Sequence, residues 1–262
     1  EENGFRQSTI NCYIERAGKY LDFAQTHKPA PDMLDKFRAV LHAKKLARQT
    51  INNYCIAIKC FHGMLGDNVS FPFLKPSDTI PYYFSQDDVM RIFAACRNIK
   101  HYTMLNVLFY ACLRASELCS LNDEDVDLNA LTVRIREGKG GREGQIFIND
   151  SCAKVLGKYL AVRPSVVING EQPLFFTDYG RRWDRGDLSR MFYHYKELAG
   201  ISKRGGLHVF ARHTPATIMI ANGCDLRIVQ DILRHRDIRT TLRYAHVSDK
   251  TKRERYEQCL VL

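Results

Sequence analysis

The sequence predicts a mainly α protein with one small β-hairpin, an α+β chain in two parts. Three observations predict it. Apolar residues recur at i, i+3, i+4, i+7 through most of the 262 residues. A glycine-rich turn at residues 137–144 separates two short alternating segments, the pattern of a hairpin. Three prolines fall within residues 71–81 and interrupt the helical pattern, which suits a semi-extended linker. An apolar fraction of 45% with 26% charged residues supplies enough core for two domains.

In the first part, Ser8 is expected to cap a helix carrying Ile10, Ile14, Ala17 and Leu21, which His27-Lys28-Pro29-Ala30-Pro31 breaks. A second helix runs through Met33, Leu34, Phe37, Val40 and Leu41, with Lys44, Lys45 and Arg48 near its end. A third carries Ile51, Tyr54, Cys55, Ile58, Phe61, His62 and Leu65, and Gly66-Asp67-Asn68 ends it. Residues 1–78 are thus a small helical bundle. Lys44, Lys45, Arg48, Asn52 and Lys59 are its candidate contacts to phosphates or base edges; taken singly, each also reads as solvated surface. Residues 79–84 are the linker, and residues 85–262 form the second domain.

There, Ser85-Gln86-Asp87-Asp88 signals the start of a helix reaching about Arg97. The apolar segment 102–112 reads as a buried helix leading into Leu113-Arg114-Ala115-Ser116-Glu117-Leu118. An isolated buried charge is costly. Arg114 therefore either pairs with Glu117 to close a helix junction or is also oriented by it toward a ligand phosphate. Residues 131–136 and 145–148 are the hairpin strands, with Lys139 near the tip. A helix follows at 150–163, a short strand at 173–176, and a helix at 184–198. A terminal amphipathic helix at 249–262 ends in Cys259-Leu260-Val261-Leu262, an apolar end that folds back on its own core or docks on a neighbour.

The net charge of +10 points to a polyanionic partner, nucleic acid first. No apolar run reaches membrane-spanning length and no secretory leader is legible, so neither secretion nor a membrane partner is expected. Nine cysteines include no C-x-x-C, which predicts reduced thiols, a cytoplasmic setting and no zinc cluster.

Residues 207–246 concentrate His208, Arg212, His213, His235, Arg243, Tyr244 and His246. Guanidinium forks beside a phenol are what nucleophilic attack on a phosphodiester needs. A basic surface gripping DNA without chemistry would look similar from this stretch alone. Arg239 and Arg243 read as phosphate contacts or solvated charges, and His213 and His246 as packing groups or supports for the reacting side chains.

Four separated blocks carry a resemblance. Cys112-Leu113-Arg114-Ala115-Ser116-Glu117-Leu118, Gly138-Lys139-Gly140, Arg212-His213-Thr214-x-Ala216-Thr217, and Leu233-Arg234-His235 followed by Thr240-Thr241-x-x-Tyr244-x-His246 stand in the order of the tyrosine recombinases. The chain resembles that family, also called the phage-integrase family, and its Xer-type members. The resemblance implies a helical core-binding domain plus a mostly helical catalytic domain, closed as a clamp around duplex DNA. It implies DNA cleavage and rejoining through a 3′-phosphotyrosyl link, without cofactor or metal. Tyr244 would be the nucleophile, Arg114 and Arg212 the phosphate clamps, His235 a further donor, Lys139 the acid for the leaving oxygen, and His208 a proton carrier. Glu117 would hold Arg114. Four protomers on two specific sites are implied, with room for accessory DNA-bending or directionality proteins.

The sequence departs from the family pattern at three places. The usual His or Lys three residues before the second Arg is replaced by Val209, and His208 lies four before. Pro215 stands where an aromatic is common, and Arg234 where a glycine is usual. Two alternatives remain at this point: a type IB topoisomerase-like enzyme that relaxes DNA, and a DNA-binding accessory protein with impaired catalysis.

Overall fold

Three helices build the first unit: α1 (Gln7–Ala24), α2 (Met33–Ala43) and α3 (Arg48–Met64). The computed structural model describes residues 5, 7–75, 81–136, 143–245 and 256–257, and divides into two units, Glu1–Thr79 and Ile80–Leu262. In the first unit Tyr20, Leu34, Phe37, Leu41, Ile51, Cys55, Ile58 and Val69 make the core; the helical spacing selects its α2 and α3 members, whereas in α1 Tyr20 is buried and the expected Ile14 is exposed. The buried His62 meets the Tyr20 hydroxyl at 3.0 Å and the Asp67 carboxylate at 3.0 Å, so both ring nitrogens are satisfied.

Three expectations change here. Ser8 lies inside α1, which starts at Gln7, and Arg48 opens α3 instead of trailing α2, which Lys45 ends with φ +53°. Asn52 is not a surface group. It is buried, its amide donates to the Leu74 carbonyl at 2.9 Å, and its oxygen accepts from the Leu74 N–H at 2.9 Å. An extended segment outside any sheet must find partners for its backbone, and Asn52 supplies both for Leu74. That occupation removes Asn52 from the DNA-contact set. Lys44, Lys45, Arg48 and Lys59 are exposed.

In the second unit, α4 (Gln86–Ala95) begins with a capping box. The Ser85 hydroxyl accepts from the Asp88 N–H at 3.1 Å and the Asp88 carboxylate accepts from the Ser85 N–H at 2.9 Å. α5 (Ile99–Tyr110) starts earlier than the apolar run suggested, because Asn98 caps it by accepting from the His101 N–H. α6 (Ala115–Ser120) follows directly.

The sheet is antiparallel, ordered β1 (Val126–Asp127), β2 (Thr132–Ile135) and β3 (Gly144–Phe147), with Ile135 opposite Gly144 and Thr132 opposite Phe147. β1, too short to show alternation, is an addition to the expected hairpin. Residues 137–142, Lys139 among them, lie outside the described residues.

α7 (Asp150–Val162) and α8 (Arg185–Leu198) take the expected places. The strand expected at 173–176 is not one. Pro173 and Phe176 make single bridges, to Asn122 and Arg182, while Leu174 and Phe175 are buried by packing. A short apolar run reports burial, which a strand and a buried irregular segment share.

A π-helical turn (Val209–His213), α9 (Thr214–Ala221), α10 (Leu226–Leu233) and α11 (Ile238–Leu242) close the unit. Its main core runs from Phe84 through α4, α5, the sheet, α7 and α8 to Ala211. A smaller cluster of Cys112, Ala216, Val229, Leu233 and Tyr244 sits with the last helices. Of the expected terminal helix only Tyr256 and Glu257 are described, and both are helical; His246 and Cys259-Leu260-Val261-Leu262 fall outside. Among the described residues no helix is long and apolar enough to cross a membrane.

Candidate active site

The junction between α5 and α6 sets the first guanidinium. The chain turns at Cys112, φ +49°, and Arg114 becomes the residue that caps α6. Glu117, on the first turn of α6, accepts from the Arg114 N–H at 2.7 Å and from its Nη1 at 2.6 Å. The same carboxylate accepts from Nη2 of Arg234. Glu117 is 2% exposed. Burial opposes its charge, but Arg234 and the Arg114 contacts outweigh it and hold the carboxyl below the usual range.

Arg212 is the largest fully buried side chain of the described residues, at 1% exposure. Its Nη1 donates to the Cys112 carbonyl and its Nη2 to the Leu233 carbonyl, so one guanidinium ties the end of α5 to the end of α10. Nε has no partner among the described residues. Burial, with Arg114 and Arg234 nearby, pulls the group down to about 10, which still leaves it charged at neutral pH.

The π turn accounts for the displaced histidine. The Thr214 N–H reaches the Val209 carbonyl, an i→i+5 bond that fits one extra residue into the turn. His208, four residues before Arg212, thereby stays beside the site, its ring centroid 4.9 Å from that of His213. Pro215 follows in the first turn of α9, where its missing N–H costs little and its ring needs room from the preceding carbonyls. The Thr214 hydroxyl does not cap α9; it accepts from the Phe84 N–H at 3.0 Å.

Tyr244 follows α11 and is buried, its N–H donating to the Thr241 carbonyl at 2.9 Å. Its hydroxyl lies 2.6 Å from Nδ1 of His213. The ring of His235 stacks on that of Tyr244 with centroids 6.5 Å apart, and His235 Nδ1 lies 2.9 Å from the Thr241 hydroxyl. Burial raises the Tyr244 phenol above its ordinary value, against Arg212 and Arg243. Burial first, then neighbouring cations, pushes His213 and His235 down to about 4. At neutral pH the phenol is therefore protonated and donates to a neutral His213, which puts that ring's own proton on Nε2.

These shifts have a consequence for stability. An unfolded histidine titrates near 6.5, and His213 and His235 in the fold near 4. Between those values the unfolded chain binds more protons, so the contribution is complete above 6.5 and is lost as pH falls toward 4. Urea midpoints should fall from about pH 7 to about pH 5, and less steeply in His213→Gln than in the wild type. Equal slopes in the two proteins would contradict it.

Arg114, Glu117, Arg212, His235 and Tyr244 thus come together, with His208 exposed at the edge. Lys139 lies outside the described residues. Arg243 is exposed, and Arg239 is exposed and paired with Asp237 at 2.6 Å. Two further groups join them. His213, expected to pack or to support the site's other side chains, lies against the Tyr244 hydroxyl, the place expected of His208. Arg234, noted only as a departure, joins the arginine cluster at a backbone φ of +51°. The sequence signal for Arg234 was its unusual position; for His213 there was none, since the π turn decides which histidine faces Tyr244. Among the described residues no group of three or more His, Cys, Asp or Glu is arranged to hold a metal ion.

Comparison with known proteins agrees with this geometry. The pattern of the phage integrase family matches residues 83–251. The chain is 30% identical over 278 residues to the tyrosine recombinase XerD of Oceanobacillus iheyensis, covering 98% of this chain and 93% of that one. It is 28% identical over 268 residues to the tyrosine recombinase XerA of Pyrococcus horikoshii, covering 100% and 91%. A crystal structure of XerA recombinase superposes with a TM-score of 0.62 at 31% identity, covering 100% and 95%. A Tn1549 transposon integrase in complex with transposon right end DNA superposes at 0.78 with 18% identity, covering 99% and 96%, a likeness of fold. A family match over most of the chain, and a relative alike along nearly its whole length, lead to one conclusion: this chain belongs to the phage integrase family, the tyrosine recombinases.

Proposed function

We propose that this chain is a site-specific DNA recombinase that cuts and rejoins strands through a 3′-phosphotyrosyl intermediate at Tyr244. The observation that carries the assignment is the Tyr244 hydroxyl, 2.6 Å from the neutral His213 ring and beside the buried Arg212. The Tyr244 oxygen attacks phosphorus, the bond to the 5′-oxygen breaks, and the phenolic proton passes to His213 Nδ1. His208, one ring further out, carries the proton toward solvent. Charge gathering on the phosphoryl oxygens is met by Arg114 and Arg212, with Glu117 holding Arg114 in place. A Thr241 hydroxyl that donates to His235 Nδ1 leaves Nε2–H of His235 free to donate to the same oxygens. Lys139 is the acid for the departing 5′-oxygen. Attack by a partner strand's 5′-hydroxyl reverses the step and completes an exchange. The phosphotyrosyl bond keeps the energy of the phosphodiester, so rejoining needs neither ATP nor a metal.

The exposed Lys44, Lys45, Arg48 and Lys59 suit residues 1–78 to DNA backbone, and Arg239 and Arg243 offer further contacts from the catalytic unit. Both domains contact duplex DNA, and four chains on two sites make the recombining assembly, with accessory proteins setting direction. It works where the DNA is, in the cytoplasm on the nucleoid. Integration, excision and dimer resolution all use this chemistry.

The test is covalent trapping on a random-sequence pool of nicked duplexes, whose cut fragment diffuses away. A protein–DNA adduct should form, and digestion with mass spectrometry should place the nucleotide on the peptide containing Tyr244. Recombination should then require two copies of the selected site. Absence of any adduct would sink the enzyme reading, and relaxation of supercoiled DNA lacking the site would favour a topoisomerase.

A further inference from the structure

Arg234 occupies a backbone position that glycine holds without strain, at φ +51° and ψ +48°. Its side chain is nevertheless committed to the site. Nη2 is held by Glu117, while Nε and Nη1 are buried with no partner among the described residues. Gly144, at the start of β3, leaves the passage: a Cβ there would meet the Arg234 Cδ at 3.2 Å. Arg114 and Arg234 share the Glu117 carboxylate and the buried Arg212 lies near both, so among the described residues of this site three positive charges face one negative charge. Arg212 also keeps one donor, Nε, unused. Buried cations with unmet donors are costly unless an anion completes them.

We propose that Arg234 is a third guanidinium of the phosphate site, anchored through Nη2 on Glu117 and donating from one of its two open nitrogens, Nε or Nη1, to a non-bridging oxygen of the scissile phosphodiester. This rests on the reading of the site as one that cleaves a phosphodiester. Arg234 then acts with Arg114 and Arg212 on the charge that grows on phosphorus-bound oxygen, and Glu117 orients two arginines at once.

The experiment compares wild type with Arg234→Gly on the trapped duplex, carrying at the scissile position either a phosphate or an uncharged methylphosphonate. Glycine suits the left-handed backbone, so melting temperature should hold or rise. On the phosphate duplex at saturating DNA, adduct formation should slow about a hundredfold, the scale of losing one oxyanion donor. On the methylphosphonate, which lacks the charged oxygen, the loss should shrink to about threefold or less. An unchanged rate on the phosphate, or the same loss on both substrates, would overturn the proposal, because a purely structural arginine affects both alike. A wild-type protein that forms no adduct on the phosphate duplex would overturn the phosphodiester reading, and this inference with it.

Discussion

Tyr244→Phe is expected to abolish the covalent DNA adduct while the protein still folds and binds DNA. The phenol oxygen is the only atom lost, and the Phe ring still fills the cluster of Cys112, Ala216, Val229 and Leu233. The missing contact is the hydrogen bond to His213. Its removal leaves a partly buried ring nitrogen unsatisfied, a cost of about 1–2 kcal/mol. The rate effect is far larger. With the nucleophilic oxygen gone, trapping should drop by more than about 10⁴-fold, the scale seen when a nucleophile is removed from a catalytic group that acts as a unit. The two readouts are adduct yield on the trapped duplex and equilibrium binding of the same duplex. Residual adduct near the wild-type level would show that Tyr244 is not the nucleophile.

The residues the sequence made legible share one property: their spacing survives whatever local backbone lies between them. Arg114 and Glu117 stand three apart on one helical start, and His235 and Tyr244 are joined by a short helix whose length fixes their approach. Helical periodicity likewise yields most of the helices and the part of the bundle core that α2 and α3 supply, though not the α1 face, where Tyr20 is buried and Ile14 exposed. What it misses depends on geometry that periodicity does not encode. The π turn at Val209–His213 adds a residue to one turn, which changes which of two histidines meets Tyr244. Asn52 lies among the polar positions of α3, yet the segment after the helix returns to cover it. Arg234 reads as a substitution for glycine, and its ion pair reaches back 117 positions to Glu117. A contact at that separation has no local signature. The left-handed backbone at Arg234 costs about 1 kcal/mol relative to glycine, which the Glu117 pairing opposes.

Arg212→Lys should fail in both stability and catalysis, although it keeps the charge. The Arg212 fork spans two carbonyls on different elements, Cys112 after α5 and Leu233 at the end of α10, and its Nε has no partner among the described residues. A lysine ammonium gathers its donors at one point, so it can serve one carbonyl and leaves the other buried and unmet. One buried acceptor lost costs about 1–3 kcal/mol, and the desolvated ammonium adds to it by favouring the neutral amine. A loss of about 2–4 kcal/mol in urea unfolding at neutral pH is the expected result. Adduct formation at saturating DNA should fall by about 10³-fold, since a transition-state clamp is removed together with the tie that aligns Cys112, Leu233 and the adjoining His235. DNA affinity should change far less, because the exposed lysines and arginines remain. A variant with lowered stability but a rate within tenfold of wild type would make Arg212 a structural tie alone, and the charge on the phosphate would then have to be met by Arg114 and Arg234.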